Sequence, residues 1–291
     1  MEKLSELFEQ ARTAQAQDQT RKLAPDRHPT RDFFVADILD WAIKADQASM
    51  EHPFFSLSKK PDHRTRHYER NGVRVTVKPG ADGMATIWDK DILIYAISQL
   101  VEALNQGRPI SRKIRLTAYD LLVTLNRHTG GENYKRLKES FRRLAGTRIE
   151  TNIATNGIRH QSGFGLLDNW DIVERSPDNG QMIAIVLTLN EWLFNAILGR
   201  EVLTLSRDYF RLSGGLERRL YELVRKHCGQ QSEWTISLGL LHTKSGSNSP
   251  LKKFRLQVKE SARANSIPEY VLSYQAETDQ VTFERRQLSV Y

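Results

Sequence analysis

Cysteine is almost missing: Cys228 is the single one in 291 residues. That excludes a disulfide framework and a cysteine-rich zinc site, and it suits a reducing compartment. No stretch approaches the ~20 consecutive apolar residues of a membrane span, so we expect no membrane partner. The opening residues, MEKLSELFEQARTAQAQDQ, carry acids and no apolar core, unlike a secretory leader. No Gly-x-x-x-x-Gly-Lys-Ser/Thr loop occurs, which argues against a P-loop ATPase. No His-x-His pair occurs either, so strand-nicking chemistry lacks its usual metal ligands. His63 and His67 stand four apart with no third ligand in view, and Asp168 and Asp171 lie on a β stretch. Gly163-Phe164-Gly165 lacks a third glycine and a following helix, and reads as a strand bend. We therefore expect no catalytic residue, no metal and no cofactor: a protein that is not an enzyme.

What the chain has in excess is positive charge. Its formal net charge is +8 and its pI about 9.5, which favours an acidic partner, either nucleic acid or an anionic membrane surface. The charge is unevenly placed. Residues 108–148 hold 11 Lys and Arg against 3 Asp and Glu, and residues 206–291 hold 14 against 9. Between them, residues 150–201 hold 3 against 7. Two basic blocks flank an acidic one, and uniform solubilising charge would not segregate in this way.

Along the chain, residues 1–31 are polar and read as a loose amphipathic helix or a mobile arm, and DFFVADILDWAIKAD (32–46) as a short apolar helix. MEHPFFSLSKKPD is an irregular connector, followed by strands around Asn71-Gly72, a pair that tolerates positive φ. A helix closed by Gly107 comes next. After it come a helix, a Gly-Gly turn, a second helix through Leu144 and a run of β structure. The second half repeats the order: a helix from Gly215, a strand start with a short helix, a helix from Pro250, and two alternating strands. Helix, helix, helix and β-hairpin is the order of a winged helix. We therefore expect an α+β chain with two tandem winged-helix domains: an N-terminal arm and short helix over 1–50, a first domain over 51–204, and a second over 205–291. KESFR at 138–142 echoes KESAR at 259–263, which supports duplication.

The helix within NSPLKKFRLQVKESARAN (248–265) carries the chemistry. At roughly 100° per residue, Leu251, Phe254, Val258 and Ala262 form a buried stripe. Lys252, Lys259 and Arg263 form a cationic stripe about a quarter-turn away, with Arg255 between them and Lys253 further round. A helix that packs on its own domain and enters the major groove needs this pairing of faces. A solvated cationic face remains the alternative. The 134–145 helix has the same plan. Lys135 and Arg142 lie on one line and Arg136 and Arg143 on another, and Lys138 and Arg142 match Lys259 and Arg263 in the echo. We expect this earlier helix to touch backbone rather than bases. Arg285 and Arg286 end the last hairpin, where they reach phosphate or merely close an exposed strand.

SMEHPFFSLSKKPD, YERNGVRVTV, MATIWDKDILIYAISQL and LERRLYELVRKHCG resemble the plasmid replication initiator protein A (RepA) family, similar in plan to TrfA. The resemblance runs from about Asp32 to about Arg286. It implies tandem winged helices, binding to origin repeats (iterons) in double-stranded DNA, opening of adjacent DNA, and recruitment of the host initiator and replicative helicase. A bacterial cytoplasmic location at the plasmid or nucleoid goes with that function; monomer and homodimer both stay open, with the first domain expected to serve dimerisation or backbone contacts. One departure is Gly214-Gly215, where a proline leading the helix is expected. The terminal Gln287-Leu288-Ser289-Val290-Tyr291 resembles a sliding-clamp-binding peptide; a frayed strand end is the alternative. A winged-helix transcriptional repressor acting on an operator is the competing function, and autorepression would let the two coexist.

Overall fold

The computed structural model describes residues 23–28, 42–159, 161–174 and 182–286. Most of the expected N-terminal arm, most of the expected 32–46 helix, residues 175–181 of the expected β run and the peptide Gln287–Tyr291 lie outside the described residues. The chain forms two compact units. One covers residues 26–210; the other covers 211–286 and takes in 23–25, through a Leu23–Leu212 bridge.

The first unit runs β1 (Lys44–Asp46), α1 (Gln47–Glu51), β2 (Arg66–Arg70), β3 (Val73–Lys78), α2 (Lys90–Asn105), β4 (Lys113–Leu116), α3 (Ala118–Thr124) and α4 (Gly131–Gly146). It continues through β5 (Arg148–Thr151), β6 (Ser162–Gly165), β7 (Leu167–Glu174), β8 (Met182–Leu189), α5 (Glu191–Leu198) and β9 (Val202–Thr204). Its strands make sheets of order β2-β3-β5-β6, β4-β8-β7 and β1-β9. Asn71 and Gly72 both take positive φ, +48° and +74°, in the two-residue turn of the β2–β3 hairpin, as that sequence predicts. Lys44–Asp46 corrects the expected helical end: it is a strand paired with Val202–Thr204. The Gly163–Gly165 bend is a boundary between sheets, since β6 pairs β5 while β7 pairs β8.

The second unit runs α6 (Gly215–Cys228), β10 (Glu233–Ser237), α7 (Leu238–Ser245), α8 (Leu251–Ala264), β11 (Tyr270–Gln275) and β12 (Gln280–Arg285). Its sheet order is β10-β12-β11. Leu220, Leu223 and Val224 of α6, Leu241 of α7, Phe254 and Val258 of α8, and Leu272, Val281 and Phe283 of the hairpin are all buried. Burial of that apolar surface is the main stabilising term. Ser237 caps α7, accepting from the Leu240 amide, and Gly246 ends it in the left-handed region at φ +68°. Gly214 caps α6 with extended backbone and no side-chain hydrogen bond.

The two units share one path. In the first, α2, β4, α3, α4, β7 and β8 follow in order with sheet order β4-β8-β7; in the second, α6, β10, α7, α8, β11 and β12 do the same with β10-β12-β11. The first carries an insertion. Between α4 and β7 the chain lays down β5 and β6, which join β2 and β3 in the four-stranded sheet. The segment that follows β3 holds the end of α4. A Cβ on Gly80 would stand 2.9 Å from the Gly146 backbone, so the two segments approach to a distance only glycine allows. Thr147 then accepts a hydrogen bond from the Ala85 amide at 2.8 Å.

Candidate nucleic-acid interface

Helix α8 starts after Pro250, whose backbone is extended, and ends at Asn265 in the left-handed region. Its inner face is Phe254, Val258 and Ser261. Phe254 lies 4.8 Å from the His242 ring of α7, centroid to centroid. The expected stripe is therefore rotated. Leu251 is exposed and Ala262 half-buried, and the small Ser261 takes the buried place instead. The rotation decides where each cation points.

Lys252, Lys253, Leu256, Glu260 and Arg263 are exposed. By helical geometry they fall within roughly 100° of one another, opposite the buried face. Lys252, Lys253 and Arg263 meet no acid within ion-pair distance among the described residues. Arg255 is turned aside. Its Nε and Nη2 donate to the two carboxylate oxygens of Asp279 at 3.1 and 3.0 Å. Asp279 sits at φ +51° in the 276–279 turn between β11 and β12. The Tyr274 hydroxyl also donates to Asp279, at 2.7 Å, and the Asp279 carbonyl accepts from the Leu238 amide at 2.9 Å. Lys259 lies over the Tyr274 ring, Nζ 4.8 Å from its centroid. Arg255 and then Tyr274 hold the Asp279 carboxyl below the usual carboxylate range by hydrogen bonding. In turn, the bond to Asp279 pushes the Tyr274 phenol up. The hairpin turn is thus tied to α8 by a bidentate pair. Helical spacing alone places Arg255 and Lys259 among cations facing outward. It misses Asp279 because the partner lies 24 residues away across a turn.

Arg285 and Arg286 stand at the end of β12 remote from the 276–279 turn. Arg285 is exposed, and its amide donates to the Ser232 carbonyl at 2.7 Å. Arg286 donates through Nη2 to the Asn265 carbonyl and side-chain oxygens, at 3.1 and 2.6 Å. It clasps the C-terminal cap of α8, so its position differs from a cation at the tip of the hairpin.

In the first unit, α4 buries Leu137, Ser140, Phe141 and Leu144, with Phe141 stacked on Trp170 at 5.7 Å. Lys135 and Arg142 are exposed on its outer face, together with the acids Glu132 and Glu139. Lys138 reaches Glu174 of β7 at 2.7 Å, and Arg136 lies 3.5 Å from Glu132. Arg143 makes a bidentate pair with buried Asp89, at 2.8 Å to each oxygen. The echo between the helices is structural. Ser140 and Ser261 are both buried, and Arg142 and Arg263 both exposed. Lys138 and Lys259 each reach the first strand of their own hairpin.

Neither His67 nor Asp168 gathers a metal set: His67 shares a hydrogen bond with Thr76, and Asp168 pairs with Arg112 at 3.0 Å. Among the described residues no group of three His, Cys, Asp or Glu could hold a metal. No described helix is long and apolar enough to cross a membrane. Cys228 is buried, its thiol donating to the Gln231 carbonyl, and burial raises its pKa.

The pattern of the Replication initiator protein A family matches residues 44–272. A protein of Wigglesworthia glossinidia brevipalpis named as a replication protein is 40% identical over 259 residues, 88% of this chain and 94% of its own. Two crystal structures of domains 2 and 3 of RctB share the mixed α/β fold. One, at 13% identity, has a TM-score of 0.63 and covers 84% of this chain and 99% of its own. The other, at 12% identity, has a TM-score of 0.55 and covers 80% and 95%.

Proposed function

The chain belongs to the replication initiator protein A family, and from that premise we propose that it is a non-enzymatic plasmid initiator that binds iteron repeats through two winged-helix units. The observation that carries this reading is the outer face of α8. Three exposed cations, Lys252, Lys253 and Arg263, against one exposed acid, Glu260, occupy the helix surface that is left once its inner face is buried and Arg255 is drawn to the hairpin turn. A helix about 10–12 Å wide fits the major groove of B-DNA. The hairpin of β11 and β12 is then the wing, and the Arg255–Asp279 pair sets its height above the helix.

Within this reading Lys252, Lys253 and Arg263 contact duplex DNA directly, and Arg255 and Lys259 position the wing. Arg286 holds the end of α8, while Arg285 remains available for phosphate. In the first unit Lys135 and Arg142 make backbone contacts; Glu132 and Glu139 weaken that face as an anion site. Phosphate neutralisation provides affinity, and bending or opening of neighbouring DNA follows from contacts that the deformed duplex makes better. The host initiator and helicase, a second copy of this chain, and the sliding clamp through Gln287–Tyr291 complete the proposed set of partners. The location that goes with this function is the bacterial cytoplasm, on plasmid DNA.

The test is binding of the full chain to its own plasmid's origin fragment and to a scrambled fragment over a salt series. We expect a specificity ratio of ~10³ or more and a steep salt slope. Equal binding to both fragments would refute it. A repressor acting on an operator is separated by plasmid maintenance, since loss of a repressor leaves replication intact and loss of an initiator does not. Autorepression would appear as added operator binding without loss of origin function.

A further inference from the structure

The most exposed large apolar side chain of the second unit is Leu256, at 54%. It sits in the middle of the cationic face of α8. Lys252 precedes it by one helical turn, the acid Glu260 follows it by one and Arg263 by two, and Lys253 flanks it, so the face keeps a net positive charge. A single exposed leucine on a solvated face needs no explanation. This one differs in its surroundings. The hairpin draws Arg255 and Lys259 to one side, through Asp279 and Tyr274, and leaves the leucine uncovered between cations. The duplicated helix supplies the contrast. The echo that aligns Lys138 with Lys259 places Lys135 of α4 opposite Leu256, so the copy expected to touch only backbone has a charge where this one has an isobutyl group.

From the geometry we infer that Leu256 reads the C5-methyl group of a thymine in the major groove. The inference rests on the proposal that α8 enters that groove. Thymine is the one base with an apolar group on its major-groove edge, and apolar side chains are its usual partners. The flanking cations hold the helix against phosphates on either side, which brings an uncharged residue at the centre to the base edges rather than to the backbone. Charge complementarity thus selects DNA as the occupant of this face over an apolar protein surface, which three desolvated cations would oppose.

The experiment compares two versions of the origin fragment, one synthesised with thymine and one with uracil in its place. Uracil keeps every pairing and acceptor group and lacks only the methyl. The wild-type chain is expected to bind the uracil fragment more weakly, by about fourfold for each thymine methyl that Leu256 would cover. Leu256→Ala is expected to bind the thymine fragment more weakly by a similar factor and to lose most of the thymine–uracil difference. Leu256→Met should retain that difference. Because the side chain is exposed and alanine favours helix, the melting temperature of Leu256→Ala serves as the folding control. If Leu256→Ala keeps the wild-type thymine–uracil ratio while still preferring origin over scrambled DNA, the inference falls and the initiator reading stands. The inference falls equally if Leu256→Ala binds both fragments as tightly as wild type, which would assign the face to a protein. If the wild type shows no preference for origin over scrambled DNA, the underlying reading falls and takes this inference with it.

Discussion

Replacing Lys252 with glutamine removes one positive charge from the outer face of α8 and leaves the inner face of Phe254, Val258 and Ser261 untouched. If Lys252 neutralises one phosphate, the slope of log K against log salt should shrink by about 0.9. Taking affinities as equal at 1 M salt, that difference amounts to about fivefold at 0.15 M. The triple variant Lys252→Gln, Lys253→Gln, Arg263→Gln should lose about 2.7 in slope and roughly 150-fold in affinity at the same salt, if each contact is independent. Arg255→Gln is the internal contrast. Its guanidinium is engaged by Asp279, so it should weaken binding through the wing and leave the slope unchanged. Fluorescence anisotropy on a labelled origin fragment at five or six salt concentrations reads both quantities. A Lys252→Gln slope equal to that of the wild type would refute phosphate contact by this face. An Arg255→Gln slope reduced by a full unit would show that Arg255 leaves Asp279 for DNA.

Three further outcomes are expected. Arg255→Gln and Asp279→Asn should weaken origin binding to similar extents, and the double variant should be no weaker than either, since both break one pair; additive losses in the same titration would separate their roles. Gly80→Ala should destabilise the first unit by about 1–3 kcal/mol, seen as a lowered urea midpoint, because its Cβ would stand 2.9 Å from the Gly146 backbone. Asp62 is buried against Arg66 at 2.7 Å and accepts from Arg64 at 3.0 Å. Those bonds, with Arg64 foremost, hold its carboxyl well below the ordinary value. A depressed folded pKa gives stability that is full above the unfolded carboxyl pKa of about 4 and drains as pH falls through the folded value. Asp62→Asn should therefore lower the urea midpoint at pH 7 and narrow its gap to the wild type at pH 3; a constant gap would count against the ion pair.

Local pattern made much of this architecture legible. Asn71-Gly72, the helical spacing in α4 and α8, and the terminal hairpin each depend on neighbours within a few residues, and the repeated order followed from them. The rest depends on pairing at a distance. Lys-Ile-Arg-Leu of β4 is four residues long and half charged, and it becomes a strand because Thr188 and Val186 of β8 lie beside it. Likewise β5 and β6 read as plain β structure; only the pairing of β5 to β3, 70 or more residues away, with β6 added on its other edge, shows them to be an insertion. The site was legible to the same depth. The inner and outer faces of α8 could be read from the periodicity, but the buried place of Ser261 and the diversion of Arg255 to Asp279 could not. Leu256 did have a signal in the sequence, as an apolar residue off the buried stripe and between lysines, yet an apolar residue there is informative only once the helix's orientation is fixed.

The pairing of β1 with β9 bears on how the chain comes into being. Lys44 meets Thr204, and their side chains are hydrogen-bonded at 2.5 Å across a sequence separation of 160. During synthesis the first unit cannot close until Thr204 has left the ribosome, and long-range pairing of this kind folds slowly. The second unit is different: every strand and helix of 215–285 meets partners within that short stretch, so it can form without waiting for such a closure. Although translated last, the unit with the outer face of α8 is positioned to fold fast, while the older part of the chain is still completing its two-stranded clasp.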